Sequence, residues 1–135
     1  MTDALKFEQY TYSYPRRTAV LQDIDLAISA GSFTVLTGPN GAGKTALCRA
    51  AAGIIPHYYG GSLSGHVYVQ GQDTRTTGIA VLATMTGILL EDYETQLVAM
   101  TVEEEVAFAL ENMGLAPAEI KSRVTSALKQ VGLSG

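Results

Sequence analysis

The chain of 135 residues has one cysteine, so it cannot hold an internal disulfide framework. No apolar run approaches the roughly 18 residues needed to span a bilayer. The opening residues, Met-Thr-Asp-Ala-Leu-Lys, lack the apolar stretch of a signal peptide. A cytoplasmic chain is the expectation, with any membrane spans carried by a partner. Positive charge is scarce as well. The net charge of −4 argues against a general nucleic-acid surface. Between Thr76 and Ile120 there are eight acidic residues and no Lys or Arg. That run reads as a solvated helix face that complements helix dipoles. The histidines, His57 and His66, have no metal-ligand spacing with Cys48 and read as surface or loop residues. Cys48 itself reads as a small apolar packing residue. No repeat, linker or low-complexity segment is present. Apolar content is 47%, enough for the core of one small domain.

What is present is a phosphate cradle. Residues 38 to 45 read Gly38-Pro39-Asn40-Gly41-Ala42-Gly43-Lys44-Thr45, a full match to G-x-x-x-x-G-K-[ST]. Gly38, Gly41 and Gly43 permit turns that a Cβ would forbid. The loop's N–H groups then converge into an anion nest, reinforced by the positive end of the following helix. Lys44 can reach the β and γ phosphates, and the Thr45 hydroxyl can bind Mg²⁺. The flanks agree. Ser32-Phe-Thr-Val-Leu36 is a β-rich run, and Thr45-Ala-Leu-Cys-Arg-Ala-Ala-Ala52 is helical, closed by Gly53.

Elsewhere, Leu5–Tyr14 reads as a strand, and Pro15-Arg16-Arg17 as a turn. Residues 20–28 read as a half-buried strand in which Ile24, Leu26 and Ile28 alternate with Asp23, Asp25 and Ala27. His66–Val69 is a short strand. Ile79–Thr84 and Gly87–Leu90 are apolar runs, the second a candidate parallel strand. Thr101-Val-Glu-Glu104 is a capping box. It opens a helix with the stripe Val102, Val106, Ala109, Leu110 and Met113, stopped by Gly114. Pro117 sits in the first turn of a second helix. Its stripe is Ile120, Val124, Ala127, Leu128 and Val131, with Gly132 as C-cap.

These residues together resemble the ATP-binding subunits of ABC transporters, and among them the energy-coupling-factor type that drives uptake of vitamins and metal ions. Besides the loop, four stretches carry the likeness. Tyr12-Ser-Tyr-Pro15 looks like the aromatic loop. Gly53-Ile-Ile-Pro56, with Gly65-His-Val67 and Gly71-Gln-Asp73, looks like the segment after the phosphate loop. Gly87-Ile-Leu-Leu-Glu-Asp92 with Gln96-Leu97 looks like the Q-loop. Thr101–Phe108 and Glu111-Asn-Met-Gly-Leu115 look like the start of the helical subdomain. The resemblance implies an α/β P-loop NTPase of ABC ATPase type. Its antiparallel β portion and P-loop core would cover residues 1–90, with the Q-loop and helical subdomain start over 91–135. It further implies ATP and Mg²⁺ as cofactors, and partners in a second ATP-binding subunit or domain and in integral membrane subunits. The expected location is the cytoplasmic face of the membrane, peripherally. Tyr14 would stack on adenine, with Tyr10 and Tyr12 as alternatives.

Two departures from the family pattern stand out. Glu91 occupies the Q-loop position where the pattern has Gln, which makes it the candidate catalytic and Mg²⁺-binding carboxylate; Gln96 aligns with a different family position. No L-S-G-G-Q, no apolar strand ending in Asp-Glu and no later switch histidine occur. Leu133-Ser134-Gly135 reads as a helix terminus rather than as the start of that signature. The chain is thus expected to be an incomplete domain, binding phosphates without turning over alone. The alternative is a regulatory or degenerate nucleotide-binding domain that never hydrolyses. A GTPase would need D-x-x-G and N-K-x-D, and neither is present.

Overall fold

The computed structural model describes residues 3–133, so the Ser134-Gly135 part of the terminal reading lies outside the described residues. In chain order the elements are β1 (Asp3–Ser13), β2 (Leu21–Ser29), α1 (Lys44–Ala51), the short α2 (Ile54–His57), β3 (Ser62–Val69) and β4 (Gln72–Asp73). These are followed by α3 (Ile79–Leu82), a 3₁₀ turn at Glu94–Gln96, α4 (Val102–Asn112) and α5 (Pro117–Gln130). Two compact units result, one running to Ile88 and one beginning at Leu89.

In the first unit the strands form one antiparallel sheet in the order β2-β1-β3-β4. β1 is central, and its side-chain parity changes along its length. Phe7 and Tyr10 are both buried although three residues apart, because β1 carries an extra residue between them. Gln9 takes φ 46° at this bulge, and its amide donates to Asp25 Oδ1 at 2.9 Å. A second bulge at Asp23 (φ 48°) is satisfied in the same way, the Asp23 amide donating to Thr11 Oγ1 at 2.9 Å. Each bulge residue's amide thus meets a side-chain acceptor across the strand pair. Gly65 faces the β1 bulge. A Cβ there would stand 2.3 Å from Gln9 O and 2.4 Å from Glu8 O, so only glycine lets the two backbones approach.

α1 packs on the sheet through small residues. Ala46 and Ala50, one turn apart, are buried in a cluster with Phe7, Tyr10, Tyr12, Leu21, Ile55 and Val67. Burying each of the larger side chains contributes roughly 1.5–3 kcal/mol. Cys48 lies off that face and is exposed, which corrects its expected packing role. The helix ends where Gly53 turns left-handed at φ 73°, packed so tightly against Leu82 that a Cβ would meet its Cδ1 at 2.4 Å.

The run Ser32–Leu36 is irregular rather than a strand, with Phe33 93% and Val35 73% exposed. Gly87–Leu90, the candidate parallel strand, is irregular too, so no parallel pairing forms around the loop among the described residues. A parallel strand is stable only between neighbours, and none of the described segments lies alongside these two in a ladder.

In the second unit, the capping box forms as read from the sequence. Thr101 Oγ1 accepts from the Glu104 amide at 3.2 Å, and Glu104 Oε2 accepts from the Thr101 amide at 3.1 Å. Glu105 does more than complement a dipole: its Oε2 accepts from the Val98 and Ala99 amides at 2.9 and 2.8 Å. α4 and α5 pack on each other through Ala107 and Val124, with Val106, Leu110, Ile120, Ala127 and Leu128 half-buried. Val102, Ala109, Met113 and Val131 are exposed, so the expected stripes are wider than the face one neighbouring helix covers. Gly114 and Gly132 close the two helices at φ 71° and 75°.

Candidate nucleotide site

The loop from Gly38 to Gly43 leads directly into α1, and three left-handed glycines shape it: Gly38 (φ 156°), Gly41 (φ 83°) and Gly43 (φ 92°). Gly43 is the tightest. A Cβ there would lie 2.9 Å from Val20 O, because the loop passes over the start of β2. Val20 is held in turn by its amide, which donates to Tyr12 O at 2.8 Å. Inside the loop the Ala42 amide donates to Pro39 O at 3.2 Å, closing a turn across Asn40 and Gly41. The amides of Gly41, Gly43, Lys44 and Thr45 have no protein acceptor among the described residues, and α1 has no side-chain cap. A helix N-terminus with free donors and a positive dipole end suits an anion.

Lys44 supplies a full positive charge within this turn. Its Nζ donates to Gly38 O at 2.7 Å and to Pro39 O at 2.8 Å, so the ammonium is folded onto the loop's own carbonyls. The next residue, Thr45, is exposed, and its hydroxyl has no protein partner among the described residues. The donors fit a triphosphate, with Thr45 as a single hard oxygen for Mg²⁺. No group of three or more His, Cys, Asp or Glu is gathered for a metal among the described residues.

The tyrosines divide by burial. Tyr10 and Tyr12 are core residues at 1% and 0% exposure, which removes both as stacking platforms. Burial pushes the Tyr10 hydroxyl up to about 12. Tyr12 donates its hydroxyl to Gly60 O at 2.8 Å. Tyr14, just past β1, is half-buried and edge-packed against Tyr12 and Tyr59, with centroids at 4.9 and 5.9 Å. Arg49 of α1 donates from Nη1 to the Tyr14 hydroxyl at 3.3 Å and lies 4.8 Å over the Tyr59 ring. The sequence reading passed over Arg49; it is a basic residue in an alanine-rich helix, 35 positions from its tyrosine partner.

Both histidines are exposed and engaged locally. His57 Nε2 lies 2.8 Å from Thr74 O, and His66 Nδ1 lies 2.7 Å from Asp73 Oδ2. Glu91 belongs to the second unit and is exposed. In the same segment Gln96 folds back, its Oε1 accepting from the Leu90 amide at 2.8 Å. No described helix is long and apolar enough to cross a membrane.

Comparison with known proteins agrees with this geometry. The ABC transporter family model matches residues 21–135. A Methanosarcina mazei protein described as an ABC transporter ATP-binding protein is 43% identical over 98% of this chain, which covers 23% of that relative. A Pyrococcus abyssi relative of the same description is 39% identical over 96% of the chain, covering 46% of its length. Among solved structures, cbiO1 from Clostridium perfringens, described as part of the ABC transporter complex cbiONQ, superposes with a TM-score of 0.80. It shares 32% identity over 98% of this chain and 52% of that one. The chain therefore spans between about a quarter and about half of the proteins it matches. With its phosphate loop, antiparallel sheet and capped helices, this chain belongs to the ABC transporter ATP-binding family, as part of its nucleotide-binding domain.

Proposed function

We propose that the chain is the ATP-binding part of an ABC importer ATPase of the energy-coupling-factor type, coupling ATP binding and hydrolysis to uptake of a small solute such as a vitamin or metal ion. The observation that carries the reading is the nest of free amides at Gly41, Gly43, Lys44 and Thr45 beside the Lys44 ammonium. The likeness to cbiO1, itself described as part of a transporter complex, supports the importer assignment.

In this reading Gly38, Pro39, Asn40, Gly41, Ala42 and Gly43 wrap the phosphates with backbone donors. Lys44 exchanges its two carbonyl contacts for phosphate oxygens, each charge-assisted contact contributing about 1.5–3 kcal/mol. Tyr14 stacks on the adenine. Thr45 and Glu91 would hold Mg²⁺, which when bound neutralises charge on the β and γ oxygens. Glu91 would also orient the attacking water. Hydrolysis further needs a second metal-holding carboxylate and the signature segment of a partner site. A second ATP-binding subunit or domain and integral membrane subunits are the partners, with the protein peripheral at the cytoplasmic face of the membrane.

Titration calorimetry with MgATP, in competition with GTP, tests the binding reading. Saturable MgATP binding that GTP displaces only weakly is expected. An absence of MgATP binding would remove the assignment.

A further inference from the structure

The tyrosine that the proposed function places on adenine stands just beyond the end of β1, in the turn closed by the Arg17 amide on Tyr14 O at 3.1 Å. Backbone pairing does not fix a side chain there. A stacking platform that is free to rotate must be ordered when the ligand arrives, and that ordering weakens binding. Two edge contacts, to Tyr12 and Tyr59, restrain the ring. Among the described residues one group engages both its hydroxyl and its neighbour: the Arg49 guanidinium, with Nη1 3.3 Å from Tyr14 Oη and its centre 4.8 Å over the Tyr59 ring.

Arg49 is committed to these rings. Its Nε is buried and makes no hydrogen bond, and it forms no ion pair among the described residues. The guanidinium is thus held by a phenol oxygen and an aromatic face, an arrangement that suits a planar cation. Its position on α1 adds a consequence. α1 begins at Lys44, so one rigid helix carries both the phosphate-binding ammonium and the anchor of the tyrosine ring. The spacing between the base platform and the phosphate nest is then set within a single element.

We infer that Arg49 is a positioning residue for nucleotide base recognition, holding Tyr14 and Tyr59 in a fixed aromatic corner at a set distance from the phosphate loop. The inference rests on the adenine role proposed for Tyr14. It touches the base only through that ring, so it acts on base affinity and leaves phosphate affinity alone.

The test compares MgATP with magnesium tripolyphosphate, which offers the phosphates without a base. Calorimetry on the whole chain would cover Tyr14→Ala, Arg49→Met, the double variant and Arg49→Lys. Arg49→Met and Tyr14→Ala are each expected to weaken MgATP roughly three- to tenfold. Tripolyphosphate affinity should stay unchanged in both. The double variant should lose no more than Tyr14→Ala alone, since Arg49 acts only through that ring. Arg49→Lys keeps a cation near Tyr59 without the planar fork, and should recover part of the loss. A selective loss in Tyr14→Ala with none in Arg49→Met would overturn the inference and leave the adenine reading standing. No selective loss in Tyr14→Ala would remove both. Equal weakening of both ligands in Arg49→Met would make Arg49 a structural residue of α1 and overturn the inference.

Discussion

The Lys44 ammonium lies 2.7 Å from the carbonyl oxygen of Gly38, the first glycine of the loop it serves. With Pro39 O at 2.8 Å, it is satisfied by its own loop, and a phosphate must displace those contacts. Lys44→Ala removes the charge that makes the exchange favourable. MgATP affinity is expected to fall roughly ten- to hundredfold, from a lost charge-assisted contact of about 1.5–3 kcal/mol. Calorimetry reads this directly, and an unchanged affinity would contradict the assignment of the loop.

Gly65 tests the fold rather than the site. An added Cβ would collide with two backbone oxygens of β1, at 2.3 and 2.4 Å, in a residue whose φ is 75°. Neither oxygen can move without parting the central strand pair. Gly65→Ala is expected to destabilise the first unit by about 3 kcal/mol, lowering its melting temperature on the order of 10 °C. Differential scanning calorimetry measures the shift; a wild-type melting temperature would mean that β3 and β1 are not held at this distance in solution.

The hairpin of β3 and β4 carries the pH-dependent element. Burial alone would raise the Asp73 carboxyl, yet the Arg75 amide at 2.8 Å and the His66 ring at 2.7 Å favour its ionised form, and its pKa lies below the ordinary 3.8. A carboxyl depressed in the folded state contributes stability above its unfolded value. That contribution is lost as pH falls through the folded value. Urea unfolding followed from about pH 6 to about pH 2 should show the loss, and Asp73→Asn should flatten that acid limb. An acid limb identical in the two proteins would count against the pairing.

The charge of Glu91 tests the metal-binding role proposed for it. A hard cation favours an ionised oxygen ligand, whereas without metal the same charge repels phosphate. Glu91→Gln is expected to tighten metal-free ATP binding and to reduce its dependence on Mg²⁺. Titrating ATP with and without Mg²⁺ decides it. Equal shifts in both conditions would place Glu91 away from the metal.

Local chemistry was readable from the sequence. The phosphate loop, the start of α1 at Lys44, the Thr101–Glu104 capping box and the alternation of Ile24, Leu26 and Ile28 each depend on residues within one turn or one strand. What escaped depends on distant neighbours. The exposure of Cys48 follows from which face of α1 the sheet takes, and Ala46 and Ala50 take it. Ser32–Leu36 has strand composition, but a strand needs a partner and composition does not supply one. The change of face between Phe7 and Tyr10 leaves only a three-residue spacing in the sequence, which helices share. Arg49 and Tyr14 meet across 35 residues, and nothing in either local stretch marks the other.

The bulge at Gln9 makes the length of β1 matter more than its composition. Phe7 reaches the core before it, and Tyr10 and Tyr12 reach the same core after it, only because one additional residue is inserted there. Tyr14 follows in the same phase. Losing the single codon for Gln9 would invert the facing of one half of the strand relative to the other, setting either the aromatic core or the tyrosine corner to solvent. Replacing Gln9 with asparagine or glycine would keep the phase, since both tolerate a left-handed φ. In natural drift as in library design, this segment should therefore accept exchange of letters far more readily than insertion or deletion. A nucleotide site can thus be lost by an in-frame deletion that removes none of its contacts.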